Sequence, residues 1–119
     1  MSSRSFWAVG SAVVAMAAAG AAAAHHGWSS YDADRVMRPT VAVLESHWGS
    51  PHGSLVVMLD QQRWDVVLAP VSRMQARGLV AGDIAVGQTV TVEGYPRRDG
   101  TREMRVERIT AGGKTVELR

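Results

Sequence analysis

The amino-acid sequence predicts an all-β domain with a small helical contribution, a five- to six-stranded OB-like Greek-key barrel with one short helix, preceded by a helical signal peptide. Three observations point there. An uncharged Ala- and Val-rich run closes on small residues at Ala24, and short β-rich runs broken by Gly, Pro and Asp-Gly begin at Pro39. Those runs come in the order three strands, one helix, then two or three strands, which is the order of a small OB-like barrel. A two-layer β-sandwich would use the same strands.

The leader comes first. Residues 1–5 carry Arg4 as their only charged side chain, residues 6–24 carry none, and Ala22-Ala23-Ala24 is an A-x-A cleavage pattern. A membrane anchor is the competing assignment, because 19 uncharged residues approach the roughly 20 that span a bilayer. The many Ala and Gly make the run weakly hydrophobic, however, and no basic cluster follows it. Residues 1–24 are therefore expected to be a cleaved export signal that leaves no stable membrane span and places the protein in the periplasm. Cleavage after Ala24 makes His25 the first residue; cleavage one residue earlier leaves Ala24-His25-His26.

Residues 25–38 mix Ser, Asp and Gly with Trp28 and Tyr31 without any period and predict an irregular amino-terminal arm. Residues 39–119 form the expected barrel domain. Residues 40–48 (TVAVLESHW) alternate, with Val41, Val43 and Glu45 on the register opposite Ala42 and Leu44, and end at the Gly49-Ser50-Pro51 breaker. Residues 54–60 (SLVVMLD) and 63–69 (RWDVVLA) are two apolar runs separated by Gln61-Gln62, a gap that suggests a hairpin without the usual Asn-Gly chemistry.

After Pro70 the period changes. Val71, Met74 and Leu79 fall along one side of a short helix that ends near Gly78. Residues 88–95 (QTVTVEGY) alternate cleanly with Val90 and Val92 on one face. Asp99-Gly100 is a hairpin signal, and residues 102–110 return with Met104 and Val106 inward. Gly112-Gly113 turns the chain once more into residues 114–118.

Composition excludes several functions. Loss of residues 1–24 removes one of 13 basic and none of 11 acidic residues, leaving +1, with basic and acidic residues interspersed and Arg97-Arg98 the one pair of adjacent basic residues. Nucleic-acid binding needs a phosphate-tracking basic stripe that is missing here. There is no cysteine, so thiolate metal sites and thiol redox chemistry are excluded, and the processed chain of about 95 residues relies on its apolar core. No G-x-S-x-G, P-loop or H-E-x-x-H motif occurs, and Asp32 and Asp34 read as solvated or capping residues of the arm, so an enzyme is not expected.

All four histidines, His25, His26, His47 and His52, fall within residues 25–52. Neutral imidazole binds copper, zinc and nickel, and a terminal amine beside a histidine adds a second nitrogen. With His25 first, its amine and ring chelate one ion, and His47 or His52 supplies a third nitrogen. With Ala24 first, the amine, two backbone nitrogens and His26 make a square-planar set suited to Cu(II) or Ni(II). Both arrangements favour copper. Surface or turn-capping histidines are the structural alternative. Met37, Met58, Met74 and Met104 are potential soft ligands but sit at core spacing, and Trp28, Trp48 and Trp64 read as core or rim packing.

The order AHHGWSSYD, HWGSPH, RWDV, ARGL and VGQTVTVEGYPRRDG resembles a family of small exported bacterial proteins known as a domain of unknown function. The resemblance covers essentially the whole processed chain. It singles out His25, His26, Trp48, Pro51, His52, Trp64, Gly94, Pro96, Asp99 and Gly100, with Gly27 where serine is usual and Ser50 in place of asparagine. It implies an exported small barrel with a histidine motif and no transferable activity. The expected function is transition-metal binding, copper favoured, with a periplasmic protein as a further partner. The alternative is a metal-independent OB-type module for a peptide, oligosaccharide or protein, using the barrel face near Trp48 and Trp64.

Overall fold

The computed structural model of the chain describes residues 27–119, so the expected signal peptide and the His25-His26 pair lie outside the described residues. Residues 27–30 belong to one compact unit and the barrel, Tyr31–Arg119, to another. In the first, Trp28–Ser30 is a single 3-10 turn closed by the Ser30 N–H on the Gly27 carbonyl at 3.2 Å.

The second unit is mostly β. Its elements are β1 Thr40–His47, β2 Ser54–Leu59, β3 Gln62–Val67, α1 Val71–Ala76, a 3-10 turn Ala81–Ile84, β4 Thr89–Pro96, β5 Glu103–Ala111 and β6 Lys114–Glu117. The sheet order is β3-β2-β1-β4-β5-β6, and a further parallel pairing of β3 with β5 closes five strands into a barrel, leaving β6 as an added strand on β5. This is the OB-like barrel expected from the order of runs.

Alternation decides which side chains fill it. Val90 and Val92 of β4 and Met104 and Val106 of β5 point inward and are essentially inaccessible, while Thr91, Glu93, Arg105 and Glu107 stand on the outer face. In β1, Val41 and Val43 are buried, but a bulge between Val43 and Glu45 resets the register, so Glu45 is exposed and does not share their face. Met37 packs against the core and Met74 and Met104 are fully buried within it. Met58 departs from the core expectation: Leu55 and Val57 take the inner positions of β2, which leaves Met58 outward and 42% exposed.

The β2–β3 hairpin turns at Asp60-Gln61, one residue earlier than Gln61-Gln62. Both turn residues have positive φ (50° and 65°), the backbone twist of a type I′ turn, and Gln62 already pairs with Leu59. Helix α1 ends as its sequence suggests. Gly78 takes φ 96°, its N–H bonds Gln75 at 3.0 Å and the Leu79 N–H bonds Met74 at 2.9 Å, a Schellman motif with Met74 and Leu79 as its apolar pair.

Residues 31–39 run beside β4 through two isolated bridges, Tyr31 with Arg97 and Met37 with Gly94. Gly94 is hydrogen bonded to Met37 in both directions (2.8 and 2.9 Å) and lies against the Arg105 carbonyl of β5, at a bulge where a Cβ has no space. Outside, Arg38, Glu93, Arg108 and Glu117 alternate in charge across β4, β5 and β6, with contacts of 2.5–2.9 Å.

Candidate metal centre

The two described histidines bracket one loop. His47 is the last residue of β1 and pairs with Ser54, the first of β2; the intervening residues 48–53 (WGSPHG) form the β1–β2 loop, whose Ser50–Pro51 peptide is cis. This is the loop that, with the β4–β5 connection, flanks the binding face of OB folds. Two glycines shape it. A Cβ on Gly49 would lie 2.9 Å from both Cε1 and Nε2 of His47, so the bare glycine is what gives the imidazole its place. A Cβ on Gly53 would lie 2.6 Å from the methyl of Met74. Gly53 also exchanges hydrogen bonds with the chain after β3, its N–H to Ala69 and its carbonyl from Leu68, each at 2.9 Å.

The two rings have different surroundings. His47 is exposed and shares the outer face with Glu45, whose carboxylate is paired with Arg63 of β3. Glu45, Ser46, His47, Ser54, Leu55 and Val56 line an open pocket of about 140 Å³. His52 is half-buried, and its pKa lies below the ordinary histidine value because burial, first, and then the charges of Arg105 and Arg73 disfavour the imidazolium. At neutral pH it is the neutral imidazole that a metal needs. The same guanidinium field opposes an incoming cation.

Among the described residues no group of three or more His, Cys, Asp or Glu side chains converges into a complete metal site. His47 and His52 are brought to one loop; His25 and His26 fall outside the described residues. Trp48 and Trp64 are partly buried and pack on the core, as their packing role predicts. Asp32 accepts a hydrogen bond from the Asp34 amide at 3.1 Å and lies 4.0 Å from Arg98, a turn-forming role. Sequence reading did not single out Glu45 or Arg105. The E-S-H spacing at the end of a strand carried the signal for Glu45; Arg105 is far from His52 and Arg73 in sequence and acts on His52 only in the folded chain, where its strand also pairs with β3 at Val67.

Several motif residues have structural explanations. Gly94 fits the crowded bulge, the Pro96 carbonyl accepts the Asp32 N–H at 2.8 Å, Asp99 accepts both the amide and hydroxyl of Thr101 (2.9 and 2.6 Å), and Gly100 takes φ 85°. The model of a family of unknown function, DUF6152, matches residues 12–105. The chain belongs to DUF6152. The DUF6152 match spans the histidines, the β1–β2 loop and the β4–β5 hairpin, and ends near the start of β5, leaving β6 outside it. The family carries no assigned activity, and no curated protein matches this DUF6152 chain.

Proposed function

We propose that this DUF6152 protein is exported to the periplasm, loses residues 1–24 and binds one transition-metal ion, copper favoured, through His25, His26, His47 and His52. The observation that carries it is that His47 and His52 stand at the two ends of the single β1–β2 loop, with the His52 pKa lowered toward the neutral imidazole. Export is supported by Arg4 followed by the uncharged run of residues 6–24 and its A-x-A end. Processing would create an amine next to the histidine pair, and an imidazole-rich donor set without thiolate suits Cu(II).

Equilibrium dialysis of protein carrying its processed amino terminus tests this function. About one Cu(II) per chain is expected, with binding lost in the double variant His26→Ala, His52→Ala. Undiminished binding in that variant rejects the site.

A metal-independent binding module is the second possibility, supported by the pocket of about 140 Å³ beside the β1–β2 loop. Its partner would be a periplasmic peptide, oligosaccharide or protein. The packing of Trp48 and Trp64 on the core weakens it, since stacked ligands need aromatic faces that stand free. A thermal shift with copper and none with peptides or oligosaccharides argues against it.

A further inference from the structure

We propose that Glu45 joins His47 as a ligand in a divalent-cation site on the outer face of β1, and that the incoming cation displaces Arg63 from the Glu45 carboxylate. This rests on the metal-binding function proposed above and adds to it an oxygen ligand and a competing cation.

The bulge after Val43 sets up the site. Beyond it Glu45 and His47 lie two residues apart on the same outward face, opposite Val56 and Ser54 of β2. Both line the same open pocket of about 140 Å³, and a water occupies roughly 30 Å³ of liquid, so an ion and a few waters fit. The Cε1–Nε2 edge of the His47 ring rests against Gly49, in space that the Cβ of any other residue would occupy, and Nδ1 is not among the ring atoms nearest that glycine.

Electrostatics separates this position from the other strand-end histidine. Glu45 supplies the negative charge that a dication requires, whereas the charges around His52 come from Arg73 and Arg105. The pair Glu45–Arg63 is more than half exposed on both sides (62% and 58%), and surface ion pairs of this kind hold their partners weakly. A doubly charged ion competing for the same carboxylate carries more charge than the guanidinium and is small enough to share the carboxylate with His47. The His47 nitrogen and the Glu45 oxygen are donors that Cu(II) and Zn(II) both accept, and they leave coordination positions for further ligands.

Calorimetric titration of Cu(II) into the protein carrying its processed amino terminus, and into variants of it, under chelator competition, tests the proposal. Glu45→Gln and His47→Ala are each expected to weaken binding about tenfold or more, the scale on which even outer-shell partners of metal ligands act. Arg63→Gln removes the competitor and is expected to tighten it. All three positions are exposed, and unchanged melting temperatures confirm that the variants fold. Copper binding that requires His26 or His52 but is unaltered by Glu45→Gln and Arg63→Gln overturns this inference and leaves the proposed function standing. Absence of copper binding in the unsubstituted chain overturns both.

Discussion

The Tyr31 hydroxyl donates a 2.5 Å hydrogen bond to the Glu103 carboxylate, joining the first residue of the barrel unit to the first residue of β5. Arg97 lies 5.9 Å from the Tyr31 ring centre and 3.4 Å from the same carboxylate, so the contact is a three-residue latch beside the β4–β5 hairpin. Tyr31 is 6% exposed.

This latch makes stability sensitive to alkali. Burial first, then the hydrogen bond to Glu103 and its charge, push the Tyr31 pKa from 10.0 up to about 12. Between those values the folded chain keeps a proton that the unfolded chain has lost, so stability falls as pH rises. The contribution is complete below pH 10 and is lost through about pH 12, amounting to at most about 2–3 kcal/mol. Tyr31→Phe is expected to be less stable at neutral pH by about 1–3 kcal/mol. Urea unfolding at stepped pH should show its deficit shrinking above pH 10; a constant deficit contradicts the latch.

Glycines 94 and 100 stand in the same motif for different reasons. A Cβ at Gly94 meets the Arg105 carbonyl and the Val106 Cα, both backbone, whereas Gly100 faces open space and is constrained only by its φ of 85°. Gly94→Ala is expected to cost about 2–4 kcal/mol because strand backbones must separate, and Gly100→Ala about 1–2 kcal/mol. Denaturation midpoints of the two variants measure the difference, and equal losses would contradict the crowding at the bulge.

The methionines divide in the same way. Met74 is fully buried under the β1–β2 loop, its methyl against Gly53, and Met74→Ala is expected to cost about 2–5 kcal/mol. Met58→Ala, on the outer face, should change stability by less than about 0.5 kcal/mol. Thermal unfolding of each variant checks both values.

Much of the barrel was legible because polar residues mark its outer face. In β4 and β5 the interleaved Thr, Glu and Arg identify Val90, Val92, Met104 and Val106 as inward. β2 offers no such marker: in SLVVML every central residue is apolar, and only the pairing with β3 decides that Val57 faces in and Met58 out. The Asp60-Gln61 turn was obscured because Gln is an uncommon residue at positive φ. In the candidate site, the two histidines of the β1–β2 loop were visible as a motif. Their electrical difference was not, since Arg73 and Arg105 are far from His52 in sequence and act on it only in the folded chain. Glu45 was hidden by the bulge that turns it away from Val43.

Paramagnetic resonance of Cu(II) added at one equivalent to the processed protein, its amino terminus verified by mass spectrometry, tests the metal site most directly. A single copper species with nitrogen hyperfine structure, lost in the double variant His26→Ala, His52→Ala, is the expected result. A spectrum of free or nonspecific copper, or one unchanged in that variant, contradicts it.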